Sequence, residues 1–211
     1  MRLGHLRGLL ILLCLVLWHG GMSAAESVDS EHWTDEYDPH FRKYTKRYFG
    51  PHFDWHWFKA QGIAESGLRS RVTSPRGARG VMQILPSTYQ EIKKQNPHFK
   101  DISRPHWNIA AGIFYDRILY RRWQSLAEPE RLYIAFASYN AGFTRIRRLY
   151  QRLQKSATQW QHIKPHLPSE TRHYVNRIRR LKDATLRQDS KGRLKGIAAY
   201  LTVVGKPLEL E

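Results

Sequence analysis

Through the body of the chain apolar residues return every three or four positions, and no stretch alternates apolar with polar long enough to argue for a sheet, so the pattern predicts a mainly α protein. Asp54 is placed to cap a helix over WHWFKAQGIAES, and Asn108 to cap one over IAAGIFYDRILYRRW, with Ile109, Gly112, Ile113 and Tyr120 near one face. Pro129 suits the first turn of a third helix, in which Leu132, Ala135, Phe136 and Tyr139 have core spacing and after which Gly142 suits the exit. A fourth starts at Thr144, with Ile146, Leu149, Tyr150 and Leu153 inward and Arg145, Arg147, Arg148 and Arg152 outward; the last follows Ser169. Ser74-Pro75-Arg76-Gly77 and His166-Leu167-Pro168 break the pattern, and 29–38 reads as a loose polar lead-in. No internal repeat is found.

One carboxylate stands out. Between Lys59 and Pro86 the sequence KAQGIAESGLRSRVTSPRGARGVMQILP holds a single acidic residue, Glu65. Phe58, Gly62 and Glu65 follow i, i+4, i+7 and share a helix face, so Glu65 has apolar or empty neighbours. It also falls in the last turn, where the negative end of the helix dipole disfavours a carboxylate; desolvation pushes the same way. Both raise the pKa, as a general acid working near neutral pH requires. The helix alone leaves a second reading open, a structural glutamate paired with Arg69, Arg71 or Arg79.

Charge and the N-terminus narrow the setting. The 211 residues fit one domain plus appendages, and 35 Lys and Arg against 18 Asp and Glu give a net charge of +17, which favours anionic partners such as nucleic acid, acidic lipid or a cell-wall polymer. MRLGHLRG followed by the ten apolar residues LLILLCLVLW resembles a secretory signal peptide, with cleavage expected after Ser23-Ala24-Ala25. An uncleaved anchor is the alternative, although the run is short of the roughly 20 residues of a spanning helix. The one cysteine, Cys14, lies in that run after Leu13, where lipidation would want a small residue, so the mature chain is expected to have neither disulfides nor thiolate metal sites. His52 and His56 have i, i+4 spacing but no HExxH accompanies them, and they read as surface histidines.

The company of Glu65 decides between its two readings. Glu65-Ser66, then SPRGARGVMQILPST from Ser74, NIAAG from Asn108, ASYNAG from Ala137 and ETRHYV from Glu170 together resemble the soluble-lytic-transglycosylase catalytic domain, which is similar in fold to goose-type lysozyme. The resemblance runs from about Asp54 to about Leu181, and the spacing from Glu65 to YNAG looks most like the membrane-bound transglycosylase F type. It implies an all-α, lysozyme-like domain with a sugar-binding cleft. It makes Glu65 the catalytic acid and base and places Ser74, Gln83, Leu85, Tyr139, Asn140 and Tyr174 around the sugar. Ser74 and Gln83 could bond ring substituents or the N-acetyl group, and Tyr139 and Tyr174 offer a flat face and a hydroxyl for sugar or for Glu65. Singly, each has a plainer use: Ser74 as a turn residue, Gln83 as a backbone-bonding amide, the tyrosines as core. Gly77, Gly80 and Gly142 read as backbone-permissive positions. Leu85 stands where the family commonly has methionine, a mild change of shape.

Ordinary glycoside hydrolysis uses two carboxylates, and the motifs hold one; Asp101 and Asp116 lie outside them, with Asp116 read as a solvated helix residue. The resemblance therefore implies cleavage between N-acetylmuramic acid and N-acetylglucosamine without water, giving a 1,6-anhydro sugar, with no metal and no cofactor. The implied partner is peptidoglycan glycan strands, with cell-envelope machinery as a further class, in a monomer exported to the periplasm or envelope. The division expected is a signal peptide over 1–25, a lead-in over 26–50, the catalytic domain over 51–185 and a tail over 186–211. Three alternatives stand beside it: a lysozyme-type muramidase, a wall-binding protein without catalysis, and a nucleic-acid module using its basic helices, against which the export signal argues.

Overall fold

The computed structural model describes residues 33–153 and 159–204, with side chains to 200; the apolar run, the cleavage site and Cys14 lie outside the described residues. Helices follow one another as α1 (Asp38–Phe49), α2 (His56–Ser66), α3 (Pro86–Gln95), α4 (Pro105–Arg122), α5 (Glu130–Ala141), α6 (Phe143–Arg152), α7 (Trp160–Ile163) and α8 (Ser169–Val204), with a 3-10 turn at Lys164–His166. Among the described residues the only β pairing is a pair of isolated bridges, Thr73 with Arg79 and Arg79 with Ile84. The mainly α architecture expected from the pattern is the one observed among the described residues.

The core forms where α2 packs on α8, α1 on α4, and α5 on both α4 and α8. Phe58 and Ile63 of α2, Ile109 and Ile113 of α4, and Phe136 of α5 are fully buried; each such side chain contributes about 1.5–3 kcal/mol by leaving water. Phe49, Phe53 and Phe58 stack at 4.6–5.8 Å, fastening the end of α1 to the start of α2. Lys59 is buried but not unpaired: its Nζ lies 2.6 Å from Asp38 Oδ1.

Several local readings change. Residues 38–49, within the expected lead-in, form α1, which buries Phe41 and Tyr44. The expected tail begins as the continuation of α8, where Gln188 exchanges hydrogen bonds with the backbone of Trp33 at 3.2 and 2.8 Å and Asp189 pairs with Arg42 at 3.1 Å. Asn108 does not cap α4, which starts three residues earlier at Pro105. Asp54 does meet the first turn of α2, its Oδ1 accepting from the His56 N–H at 3.1 Å. His56 is a buried residue rather than a surface one: its Nδ1 hydrogen-bonds Asp54 at 2.6 Å, and its Nε2 lies 3.4 Å from the Asp189 carboxylate. None of the helices among the described residues is long and apolar enough to cross a membrane.

Candidate active site

Glu65 sits in the last turn of α2, one residue before the helix ends at Gly67 in the left-handed region (φ 63°). The chain then runs through 67–85, an irregular loop that is tied down at three places. Ser66 Oγ donates to the Val81 carbonyl at 2.8 Å and joins the loop to α2. Tyr139 Oη donates to the Met82 carbonyl at 2.8 Å and joins it to α5. Asn108 joins it to α4, its Nδ2 donating to Arg79 O (2.9 Å) and Ile102 O (3.1 Å) while its Oδ1 accepts from Met82 N (2.7 Å). A side chain at Gly80 would meet Asn108 Nδ2 at 2.5 Å, so this approach demands glycine. Gln83, in the same loop, holds a positive φ of 43°, a conformation that a non-glycine residue keeps only when its surroundings enforce it.

The seven residues singled out in the sequence are all half-buried, neither core nor free surface. Tyr174, on α8, donates its phenol to Glu65 Oε1 at 2.6 Å. Tyr139 stacks edge-on against Tyr115 at 5.5 Å, and burial together with the nearby charge of Glu65 holds its hydroxyl well above its ordinary pKa. Asn140 accepts from Thr171 Oγ1 at 2.8 Å, tying α5 to α8 three residues before Tyr174. Gln83 uses its amide N–H groups on the carbonyls of Val72 (3.2 Å) and Gly80 (2.9 Å), and Ser74 Oγ accepts from Ala78 N at 3.0 Å. These bonds shape the loop, and Leu85 closes it at the start of α3. Of the six companions, the described hydrogen bonds bring Tyr174 into direct contact with Glu65.

Burial pushes the Glu65 carboxyl up to about 7, and the Tyr174 hydrogen bond, which favours the charged form, offsets only part of this. The structural alternative fails on geometry. Arg69 directs its Nε to the Ser66 carbonyl at 2.7 Å, and no ion pair among the described residues involves Glu65. A half-buried carboxyl that is protonated near neutral pH and faces one phenol can give a proton to a leaving group and take one back. Asp116 is also not what the sequence suggested: it is fully buried, bonded to Gln61 at 3.3 Å, and close enough to Glu65 to feel its charge. Gln61 lies one turn before Glu65 on α2, and no motif pointed to either residue.

The family model described as transglycosylase SLT domain matches residues 44–163, more than half of the chain. The chain belongs to the transglycosylase SLT domain family. Among relatives, the membrane-bound lytic murein transglycosylase F of Aliivibrio fischeri is 30% identical over 184 residues, which cover 76% of this chain and 35% of the relative. Among solved structures, the 70 kDa soluble lytic transglycosylase SLT70 of Escherichia coli is 26% identical with a TM-score of 0.61, covering 72% of this chain and 24% of that one. The lytic transglycosylase Slt of Pseudomonas aeruginosa, solved as an inactive mutant, is 20% identical with a TM-score of 0.63 over 74% of this chain and 25% of its own; it shares the fold. This SLT-family chain thus spans about a third of the length of the F-type relative and a quarter of the two solved structures.

Proposed function

We propose that the protein is a peptidoglycan lytic transglycosylase that cleaves the β-1,4 bond between N-acetylmuramic acid and N-acetylglucosamine, with Glu65 as acid and then base. The observation that carries this reading is a carboxyl raised to about 7 whose one direct polar partner among the described residues is the Tyr174 phenol. Glu65 gives its proton to the bridging oxygen as the bond to the muramoyl C1 breaks, and the neighbouring 2-acetamido oxygen supports C1. Glu65, now a carboxylate, takes the proton of the muramoyl O6 hydroxyl as O6 bonds C1. The acid is regenerated, the two products are a free N-acetylglucosamine O4 hydroxyl and a 1,6-anhydro ring, and no water is consumed.

Ser74, Gln83, Leu85, Tyr139 and Asn140 line the sugar's approach in this reading, with the hydroxyl of Tyr139 and the amide of Gln83 acting through the loop they hold. The substrate lies in the cell envelope, which agrees with the export-like N-terminus and with the names of the F-type relatives. The protein works there as a monomer, and envelope machinery is a further class of partner.

Digestion of purified sacculi followed by mass spectrometry of the released muropeptides tests the proposal. Fragments ending in 1,6-anhydromuramoyl groups are expected. Fragments with reducing ends would make it a muramidase, and binding without release would make it a wall-binding protein.

A further inference from the structure

Asp116 lies in the middle of α4 with no exposure, and Gln61, facing it from α2, has none either. Gln61 Nε2 donates to Asp116 Oδ1 at 3.3 Å. The remaining oxygen of each group, Asp116 Oδ2 and Gln61 Oε1, is buried without a partner among the described residues. Both orphans are acceptors, and they belong to two groups already joined by one hydrogen bond. Among the described residues, the ionisable groups within electrostatic reach of Asp116 are Glu65 on α2, Tyr139 on α5, Tyr174 on α8 and Tyr115 on its own helix, and none of them is a cation. A carboxylate buried there would be desolvated with no compensating charge, among the costliest states a fold can hold.

One proton removes both defects. We propose that Asp116 is a positioning residue held as a neutral carboxylic acid, its Oδ2–H donating to Gln61 Oε1 while Gln61 Nε2 donates to Asp116 Oδ1. The closed acid–amide ring fixes α2 one turn before Glu65 and keeps a second negative charge away from it. Burial pushes the Asp116 carboxyl well above the carboxylate range; the Gln61 hydrogen bond opposes this in part, and the charge that Glu65 acquires adds to it. In this proposal Asp116 keeps its proton when Glu65 ionises, since the orphaned oxygens Asp116 Oδ2 and Gln61 Oε1 need that proton between them. The neutral pair lets Glu65 cycle between acid and base beside a group that does not respond. The role assigned to Glu65 here rests on the transglycosylase reading; the acid–amide ring does not.

Two variants and one spectrum test it. In Asp116→Asn the amide reproduces the ring, with Nδ2 in place of the acid O–H. Folded wild type keeps a proton that its unfolded chain releases above pH 4 or so, so wild-type stability falls with pH and the asparagine variant is spared that loss. The ratio of their unfolding equilibrium constants should grow about tenfold per pH unit between pH 5 and 7. Carbon-13 spectra should show one aspartate carboxyl of the wild type still in its acid form at pH 7, absent from the variant. Asp116→Leu keeps approximate volume but strands the Gln61 amide, and should lower kcat on glycan strands about tenfold or more with KM within about twofold. Asp116→Asn should rescue that loss, with the alkaline limb of its pH–rate profile in place. If Asp116→Leu does not fold, the apolar pair Gln61→Leu with Asp116→Leu serves the same kcat comparison. A stability ratio that does not change with pH, or an Asp116 resonance titrating near 4, overturns the neutral ring. Parental kcat in the leucine variant overturns its positioning role, as does a limb moved down by about one pH unit in Asp116→Asn, the sign of a charge removed from beside Glu65. The stability and spectroscopic arms need no substrate, so they can fail or succeed independently of the glycan reaction.

Discussion

The Glu65 carboxyl is built to be protonated where an ordinary glutamate is not, and two substitutions separate the causes. Glu65→Gln keeps size and hydrogen bonding but has no proton to transfer, so turnover should fall by on the order of 10² or more in a zymogram or soluble-glycan assay. Its stability should move the other way. A carboxyl raised to about 7 keeps its proton in the fold while the unfolded chain gives it up above about 4.5, so native stability declines across that window and the glutamine variant is spared the decline. Tyr174→Phe removes the one hydrogen bond favouring the carboxylate. The alkaline limb of kcat/KM, expected near pH 7 in the parent because the free enzyme must carry the proton, should then move to higher pH; an unmoved limb would mean that Tyr174 does not set the Glu65 proton affinity. At this scale the sequence was informative for Glu65, since a last-turn position on an apolar face follows from spacing alone. It was silent on Asp116, because an aspartate next to arginine in a long helix looks solvated, and its partner Gln61 is 55 residues away. His56 misled in part for the same reason: beside Asp54, two residues away, its ring is flanked by Asp189 from α8.

Five of the helices, α2, α4, α5, α6 and α8, were legible, while α1 was read as part of a lead-in and α3 and α7 were not foreseen; glycine acts locally, so Gly142 does close α5 at a φ of 87°, and Gly77 and Gly80 do take positive φ. The loop at 67–85 was not, because its shape comes from other elements. Asn108 shows the difference. Local preference makes asparagine a good cap, yet it sits one turn inside α4 and spends its amide on the backbone of Arg79, Met82 and Ile102. The loop, in turn, leaves room for that amide only because Gly80 has no side chain. Asn108→Ala deletes three hydrogen bonds and strands buried backbone groups, so it should cost about 3 kcal/mol or more in denaturant unfolding. Since Met82 is also where Tyr139 holds the loop, the folded fraction should lose turnover as well. A variant within about 0.5 kcal/mol of the parent would show that the loop has other sufficient ties.

Across the whole molecule the net charge is +17, and part of the excess is gathered on two helices. Arg145, Arg147, Arg148 and Arg152 are exposed on α6, whose Ile146 and Tyr150 are buried, and Arg177, Arg179 and Arg180 are exposed on α8. Arg145, Arg148 and Arg152 also line a groove of about 990 Å³ with Arg122 and Tyr115, and Tyr115 stacks on Tyr139 beside Glu65. The one acidic residue lining that groove, Glu91, is paired with Arg122 at 2.8 Å. On the proposed function such a surface would draw in a polyanionic wall through a screened field without touching the reacting bond. Replacing Arg147, Arg148 and Arg152 together with glutamine should weaken pull-down on sacculi and flatten its dependence on salt. Turnover of short soluble glycans, which present little charge beyond the cleft, should change by less than about threefold. Each replaced arginine is exposed, so folding should be unaffected, and a lowered melting temperature would point to lost packing instead, for instance of Arg147 on the Phe143 ring. If sacculus binding and its salt slope are unchanged, the basic face keeps the domain soluble and the site around Glu65 captures the wall alone.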